Sequence, residues 1–418
     1  MSAFWKNYKS TLLLLAGVTL GALCGIFWPS AADVVKPVGD IFLNLIFMMV
    51  VPLVFFSTAS SICKLRGSGM LGRVLLIVLA VFLGMSVIAT LVGWLGVVAW
   101  PVADAGAIKR LMADVNVSGA AAQDNSSVAG AIVGALTASD FSLILSKDHL
   151  LALIVFAALF GYSVGAVAQK GRPMEAFIFS GTDVMMKMVS LVMVLAPVGL
   201  GCYFAHIISA MGAEMLGGYL KVFVLYVALT LLFFLIINSL YVLAASGWGG
   251  LRIYWKELWE PVVTAVATVS SAATMPSAIS AVKRMGVAPE IAESVIPLGT
   301  NIHKDGSVMG AVFKIAFLML LLGRPVTGGG TLLMILAVAL MEALVLSAVP
   351  SGGLTGEVFI CAVMGFDPSM VGLIVMVGMI IDVPATLLNV NGNIVGAVLV
   401  DRIAKRFGKK DEMLEIKK

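Results

Sequence analysis

Long stretches without a charged side chain follow one another along the first half of the chain. A helix needs about 20 predominantly apolar residues to cross a bilayer. Runs of about that length or more, one of them beginning with a histidine, occupy 11–32, 41–63, 74–103, 149–169, 188–213 and 222–251. Each of these runs predicts a membrane-spanning helix.

The second half of the chain alternates broken and continuous apolar segments. The broken segments are 261–282, interrupted at 270–271; 289–322, interrupted at 301–307; and 328–364, interrupted at 347–353. This pattern, closed by a polar span at 372–400, is typical of transporters built from inverted repeats, whose broken helices hold the binding site at the middle of the membrane. Glycine and proline kinks in ordinary packed helices are the alternative, although kinks alone do not require ionisable residues.

Composition narrows the class of protein further. The chain has 418 residues, of which 61% are hydrophobic and only 12% are charged, whereas soluble proteins carry about 25% charged residues. It lacks the polar surface of a soluble enzyme, a nucleic-acid binder or a disordered scaffold. We therefore expect a lipid bilayer around the protein, no nucleic-acid partner and no cofactor. The four cysteines have no CxxC spacing and are expected to be inert, packed thiols.

The distribution of Lys and Arg predicts an orientation. With eight full spans, re-entrant hairpins at 261–282 and 328–364, and both termini inside, most of the 27 basic residues lie on the cytoplasmic side, as in other membrane proteins. The sequence therefore predicts an all-α polytopic protein of the plasma (inner) membrane, with cytoplasmic N- and C-termini.

Ionisable residues interrupt the later apolar segments. They are His303, Lys304, Asp305, Glu342 and Asp382, with Lys314 as a weaker candidate further along its helix. A charge near the bilayer centre costs several kcal/mol on insertion scales, so each such residue indicates a functional site. A single one could be a paired or snorkelling side chain, but five within three neighbouring elements favour a binding or coupling site.

Four polar residues of the last span share one helix face. Asp382, Thr386, Asn389 and Asn393 are separated by four, three and four positions, which places them in a narrow stripe on a helix. Such a stripe can bind a zwitterion, with the carboxylate holding an ammonium group and the hydroxyl and amides donating to acceptors. The alternative is a face that hydrogen-bonds to neighbouring helices.

Two small-residue turns precede this stripe in the sequence. Ser270 and Ser271 lie at the break of the first hairpin, and 351–353, Ser-Gly-Gly, lies at the break of the second. The helix that begins after such a turn presents unpaired backbone N–H groups and its dipole to an anion. Each turn alone is weak support for a site, but together they favour a carboxylate site beside the polar span.

These segments resemble one known family when they are taken together. The segments are 270–276 (SSAATMP), 297–299 (PLG), 305–307 (DGS), 349–353 (VPSGG), the polar helix 382–393, and the outlying 71–74 (LGRV) and 195–199 (LAPVG). In this combination they resemble the glutamate transporter family, the dicarboxylate/amino acid:cation symporters, over most of the chain.

The resemblance implies an elevator-type homotrimer with eight transmembrane helices and two re-entrant hairpins. In that fold 1–73 (spans 1 and 2) and 149–216 (spans 4 and 5) would form a scaffold, 74–103 (span 3) and 217–405 (span 6, hairpin 1, span 7, hairpin 2, span 8) a moving transport domain, 104–148 an extracellular loop and 406–418 a cytoplasmic tail.

The resemblance also implies a set of site residues. Substrate binding would fall to Ser270, Ser271, Thr300, Ser351, Gly352, Gly353, Asp382, Ala385, Thr386 and Asn389. The coupling or cation site would comprise Ser86, Gly299, Asn301, His303, Lys304, Asp305, Asn389 and Asn393, and Glu342 is a candidate proton carrier.

The chain departs from the family pattern at its cation sites. His303 and Lys304 replace the signature asparagine and methionine, and Asn393 replaces the aspartate of sodium-coupled members. In the third span, Phe82 and Met85 replace a tyrosine and a threonine, and only a serine remains at 86. The sodium sites are therefore degraded, and no metal site is expected.

A second group of departures concerns the substrate. Ala385 and Val269 stand at the two positions where the family places an arginine for an acidic side chain. We therefore expect a secondary active transporter that prefers small neutral amino acids. Its sodium dependence should be reduced or absent, with protons or exchange as the coupling, because Lys304 could pair with Asp305 and take the place of the sodium charge.

Several alternatives remain open. An acidic amino acid or C4-dicarboxylate:cation symporter would use Lys304 in place of the missing arginine. Sodium could still bind through backbone carbonyl groups. A channel or a sensor is a more remote alternative. An intramembrane hydrolase is disfavoured, since the chain has no HExxH motif and no matching nucleophile–histidine set.

Overall fold

The computed structural model describes residues 2–67, 72–103, 137–146, 149–211, 214–345, 353–367 and 370–415. Within these ranges the chain is helical and has no strand. The helices are α1 (Ser2–Phe27), α2 (Pro29–Gly67), α3 (Gly72–Ala99), α4 (Phe141–Ile144), α5 (Leu150–Ala166), α6 (Arg172–Met193), α7 (Ala196–Met211), α8 (Glu214–Leu232), α9 (Asn238–Glu257), α10 (Trp259–Thr268), α11 (Ser271–Arg284), α12 (Pro289–Ile302), α13 (Asp305–Leu321), α14 (Gly329–Val345), α15 (Gly353–Met364) and α16 (Val371–Glu415). A π-helical turn, Phe233–Ile237, joins α8 to α9.

Several helices suit a membrane by length and composition. Those long and apolar enough to span, in the described part of the chain, are Val74–Ala99, Leu216–Glu257 and Val371–Arg406. A fourth span would be the pair Gln169–Val192 and Ala196–Ser209, which is bent by 60°. Shorter apolar helices are Ala16–Phe27, Val51–Ser60, Ala152–Ala166 and Gly329–Ala343. This architecture agrees with a multi-span membrane protein, and the count of eight spans stays a prediction.

Two expected spans have different boundaries in the structure. The span expected at 11–32 ends at Phe27, and α2 begins at Pro29 and continues through 33–40. The span expected at 188–213 is divided between α6 and α7, with Pro197 in the first turn of α7. Proline explains both breaks, because it has no N–H to continue a preceding helix but fits the first turn of a new one.

Helices α1, α2, α5, α6 and α7 pack on one another. Gly17 and Gly21 of α1 lie directly against the backbone carbonyl groups of Pro197 and Gly201 of α7. A Cβ atom at either glycine of α1 would overlap those carbonyl groups, so the close approach of the two helices requires glycine.

Helices α3 and α8 to α16 form the other packed group, with α13 and α16 at its centre. Nearly every residue of α13 is buried, and α13 packs against both α16 and α3. Large apolar side chains on the outer surface remain exposed, for example Leu76, Leu83 and Val263. An apolar surface of this kind is typical of a protein that contacts lipid.

Two of the three predicted breaks lie within the described residues, and both are present. Helix α10 ends at Thr268, Val269 takes a left-handed conformation (φ 49°), and Ser270 begins α11 as its N-cap. Helix α12 ends at Ile302 and α13 begins at Asp305. The third break, at 347–353, lies outside the described residues except for Gly353, the first residue of α15.

Candidate functional site

The break between α12 and α13 is fastened to the middle of α16. The backbone N–H of Ser307 donates to Oδ1 of Asn389 (3.1 Å), and Nδ2 of Asn389 donates to Oγ of Ser307 (3.2 Å). The hydroxyl of Tyr226 donates to the carbonyl group of Gly306 (2.7 Å). Gly306 itself lies against the backbone of Ala385, so a larger residue could not occupy that position. These contacts fix the first turn of α13 against the polar face of α16.

The imidazole of His303 is enclosed on three sides. Its ring stacks on Phe82 with centroids 4.3 Å apart and planes 7° apart. Nδ1 lies 3.1 Å from Oδ1 of Asn393, and Nε2 lies 3.0 Å from Oδ1 of Asp305, at ion-pair distance but without hydrogen-bond alignment. The side chains of His303 and Asp305 have no exposed surface. His303 therefore fills the space between Asp305 and Asn393, two of the polar residues that the resemblance assigns to the cation site.

The expected pairing of Lys304 with Asp305 is wrong. Asp305 faces His303, whereas the ammonium group of Lys304 lies in the electrostatic field of Glu342 and Asp382. The backbone explains the difference, since His303 (φ −129°, ψ 118°) and Lys304 (φ −146°, ψ 77°) are both extended. Successive side chains of an extended segment point in opposite directions, so the two residues of the break face different groups.

The polar stripe of α16 is divided between structural contacts and an open carboxylate. All four residues lie on this one helix. The amides of Asn389 and Asn393 contact Ser307 and His303, and Thr386 is buried beside them. Asp382 is the exposed residue of the four, and its carboxylate acts electrostatically on the ammonium group of Lys304.

The first hairpin turn is internally capped. Oγ of Ser270 accepts the backbone N–H of Ala273 (3.2 Å), which satisfies one donor at the start of α11. Oγ1 of Thr274 donates to the carbonyl group of Ser270 (2.8 Å), while Ser271 is half-buried. Of the corresponding residues in the second turn, Ser351 and Gly352 lie outside the described residues.

The remaining expected site residues are buried or turned toward their own helix. Oγ1 of Thr300 donates to the carbonyl group of Ile296, and Nδ2 of Asn301 donates to that of Pro297. Gly299 leaves room for Asn393 and Phe82, because a Cβ atom there would overlap both side chains. Ser86 is buried on α3, one helical turn after Phe82. Ala385 is buried against Gly306 and does not open a pocket of its own.

A second group of charges lies deeper among α13, α14 and α15. Nζ of Lys314 is 3.1 Å from Oε1 of Glu342 and 2.6 Å from Oε1 of Glu357. The sequence singles out Glu342 and, more weakly, Lys314, but our reading of it missed Glu357. Glu357 could have been recognised in the sequence, because it is the sole charged residue of the otherwise apolar helix Gly353–Met364.

Broken helices around a polar, charge-bearing centre, in a chain otherwise apolar enough for a membrane, define a membrane transporter. Comparison with known families identifies which one: the sodium:dicarboxylate symporter family model matches residues 11–403, and the chain belongs to that family. The resemblance seen in the sequence is thereby confirmed. The chain is a multi-pass membrane transporter of the symporter type and not an enzyme.

Characterised relatives match over nearly the whole chain. A proton/glutamate-aspartate symporter of Bacillus subtilis is 27% identical over 411 residues, covering 95% of both chains. A C4-dicarboxylate transport protein of Sphingopyxis alaskensis is 28% identical over 409 residues, covering 95% of this chain and 89% of the relative. A proton/sodium-glutamate symport protein of Bacillus subtilis is 26% identical over 396 residues, covering 93% and 91%.

Proposed function

We propose that the protein is a proton-coupled symporter of acidic amino acids. The observation that carries this proposal is an exposed carboxylate, Asp382, that interacts electrostatically with the ammonium group of Lys304. The two charges match the α-ammonium group and the side-chain carboxylate of an acidic amino acid. The names of the relatives, which include glutamate, aspartate and C4-dicarboxylates, support the same class of substrate.

Lys304 also removes the reason for expecting a neutral substrate. That expectation rests on Ala385 and Val269, which stand at the two positions where the resemblance implies an arginine. Since Ala385 is buried against Gly306, it contributes no open apolar pocket, and the cation for a second carboxylate comes from Lys304 instead. An acidic substrate is therefore a better match to the charges of the site than a neutral one.

The position of His303 supports the proton as the coupling ion. Sodium is a hard cation that needs several oxygen ligands. Oδ1 of Asp305 and Oδ1 of Asn393 already face the two ring nitrogens of His303, and Phe82 covers the face of the ring. A sodium ion would have to displace this buried ring, so sodium should contribute little to substrate binding.

The helix packing supports the proposed domain arrangement. Helices α1, α2, α5, α6 and α7 pack together as a scaffold would, and α3 and α8 to α16 pack together around the site. We propose that the second group moves as a transport domain in an elevator mechanism, that the protein is a homotrimer, and that both termini are cytoplasmic.

Binding to the purified protein tests the substrate class. Calorimetric titration in sodium-free choline buffer should show binding of L-aspartate or L-glutamate that is at least tenfold tighter than that of L-alanine, a difference of about 1.4 kcal/mol. Tighter binding of L-alanine would restore the neutral-substrate interpretation. Tighter binding of succinate would identify a dicarboxylate carrier for which the amine is dispensable.

A further inference from the structure

The charges of the site continue inward as a chain of alternating sign. Asp382 and Glu342 both act on the ammonium group of Lys304. Glu342 also contacts Lys314, which contacts Glu357. Carboxylate and ammonium groups therefore alternate in the order Asp382, Lys304, Glu342, Lys314 and Glu357. The series runs from the exposed Asp382 to the fully buried Glu357.

The inner three residues, Lys314, Glu342 and Glu357, form a buried triad with unequal charges. The side chain of Lys314 is 5% exposed, and those of Glu342 and Glu357 are 0% exposed. One ammonium group faces two carboxylates, so the fully ionised triad has a net charge of −1. An uncompensated charge that is shielded from bulk solvent in this way is strongly disfavoured.

The hydrogen bonds of the triad leave carboxylate oxygens that can accept a proton. Nζ of Lys314 donates to Oε1 of Glu342, but Oε2 of Glu342 and both oxygens of Glu357 lack an aligned hydrogen-bond partner. Gly378 of α16 lies against Oε1 of Glu357 and offers no side chain to it. Protonation of either carboxylate would make the triad neutral without any other group having to move.

Other titratable groups surround the triad from each neighbouring element. In the described part of the chain they are Cys361 on α15, Lys304 before α13, Asp382 on α16 and Tyr226 on α8. Among these only Lys304 adds a positive charge near Glu342, so Lys304 offsets part of the negative charge of the triad.

An acidic substrate would remove that support. A substrate carboxylate at Lys304 competes with Glu342 for the same ammonium group, and the ionised form of Glu342 becomes less favourable. Linkage is reciprocal, so a proton on the triad must in turn strengthen substrate binding. Substrate and proton would thus bind together although they occupy different places.

We propose that Lys314, Glu342 and Glu357 form a proton-binding site, separate from the substrate site, which takes up one proton when an acidic substrate binds at Lys304. The proton adds to a carboxylate oxygen and forms a neutral acid, no bond is broken, and the charge of the triad changes from −1 to zero. The proposal rests on the proposed function for the class of substrate.

Calorimetric titration measures how many protons the protein takes up for each substrate molecule bound. Titrations of L-glutamate or L-aspartate into the full-length protein, in sodium-free buffers of equal pH but different ionisation enthalpy, give the protons taken up per substrate bound. The unmodified protein should take up close to one proton near neutral pH. Glu342→Gln and Glu357→Gln should each take up almost none, since each leaves one carboxylate with Lys314 and a neutral pair.

Glu293→Gln is the matched control, because Glu293 pairs with Lys283 at an exposed position away from the triad. This variant should keep the proton count of the unmodified protein. If a triad variant does not fold, infrared difference spectroscopy on the unmodified protein provides an independent test. Substrate binding should produce the C=O band of a protonated carboxylic acid. The absence of this band would overturn the proposal.

The possible failures are distinguishable. If no acidic substrate binds to the unmodified protein, both the proposed function and the triad proposal are wrong. If an acidic substrate binds without proton uptake, or if either triad variant keeps a count near one, the substrate class stands and the role of the triad is overturned.

Discussion

Nε2 of His303 lies 3.0 Å from Oδ1 of Asp305, and neither side chain has any exposed surface. The resemblance to the family assigns Asp305 to the expected cation site. The partner that it has here is an imidazole tethered to the same helix break. The neighbouring Asn393 faces the other nitrogen of that ring, so two polar residues of the expected cation site, Asp305 and Asn393, are engaged by His303.

Shortening His303 should therefore restore a response to sodium. In His303→Asn, an amide oxygen and free space replace the ring, and the oxygens of Asp305 and Asn393 become available to a hard cation. We expect sodium at physiological concentration to raise substrate affinity about tenfold in this variant and to have no effect on the unmodified protein. Titrations in choline and sodium buffers measure both.

His206→Asn is the control for this experiment, since His206 pairs with Asp33 at the surface, away from the site. This variant should stay insensitive to sodium. A tenfold gain in affinity with sodium in the unmodified protein, about 1.4 kcal/mol, would show that sodium binds in spite of the ring.

Loss of the Asp382 carboxylate should weaken amino-acid binding. A charge-assisted contact to the substrate ammonium contributes about 1.5–3 kcal/mol, so Asp382→Asn should raise the Kd for L-glutamate or L-aspartate about tenfold or more. Binding of succinate, which has no amine, should not weaken. Asp183→Asn, at an exposed position of α6, should leave both affinities unchanged. Equal affinities for the amino acid in Asp382→Asn and the unmodified protein would remove Asp382 from the site.

Lys304 should determine the preference for acidic substrates. Lys304→Met should weaken binding of L-aspartate or L-glutamate about tenfold, because the side-chain carboxylate loses its cation, and should affect L-alanine much less. Lys304→Arg keeps the charge and should retain the preference, although the larger planar group changes the geometry. If acidic substrates bind Lys304→Met as well as the unmodified protein, the second carboxylate is held elsewhere.

The buried triad should be sensitive to removal of its cation. Lys314→Met removes the one ammonium group that contacts both Glu342 and Glu357 and should destabilise the protein by about 3–5 kcal/mol at neutral pH, as found when one partner of a buried pair is removed. Replacing both glutamates with glutamine in the same variant should recover most of the loss. Thermal unfolding in detergent measures both effects, and equal midpoints for Lys314→Met and the unmodified protein would contradict this description of the triad.

The sequence was sufficient for two of the three predicted helix breaks and for the family. Charged residues in the middle of an apolar segment predicted the break at His303 and Lys304, and the serines at 270 and 271 predicted the first hairpin turn. The ends of helices were harder to predict. Pro29 and Pro197 set them through backbone geometry, whereas the boundaries read from the sequence followed the positions of charged residues.

The partners within the site could not be read from the sequence. Whether Lys304 or His303 meets Asp305 depends on the extended dihedral angles of the break, which composition does not specify. Glu357 meets Lys314 only because α13 and α15 are brought together by the fold. Sequence spacing identifies residues that share a helix face, but it does not identify contacts between helices.

Uptake of labelled L-glutamate or L-aspartate into proteoliposomes tests the central claim most directly. We expect accumulation in sodium-free medium when the interior is more alkaline than the exterior, and no accumulation when a sodium gradient is imposed at equal pH on both sides. Accumulation driven by the sodium gradient alone, with none driven by the proton gradient, would contradict the account.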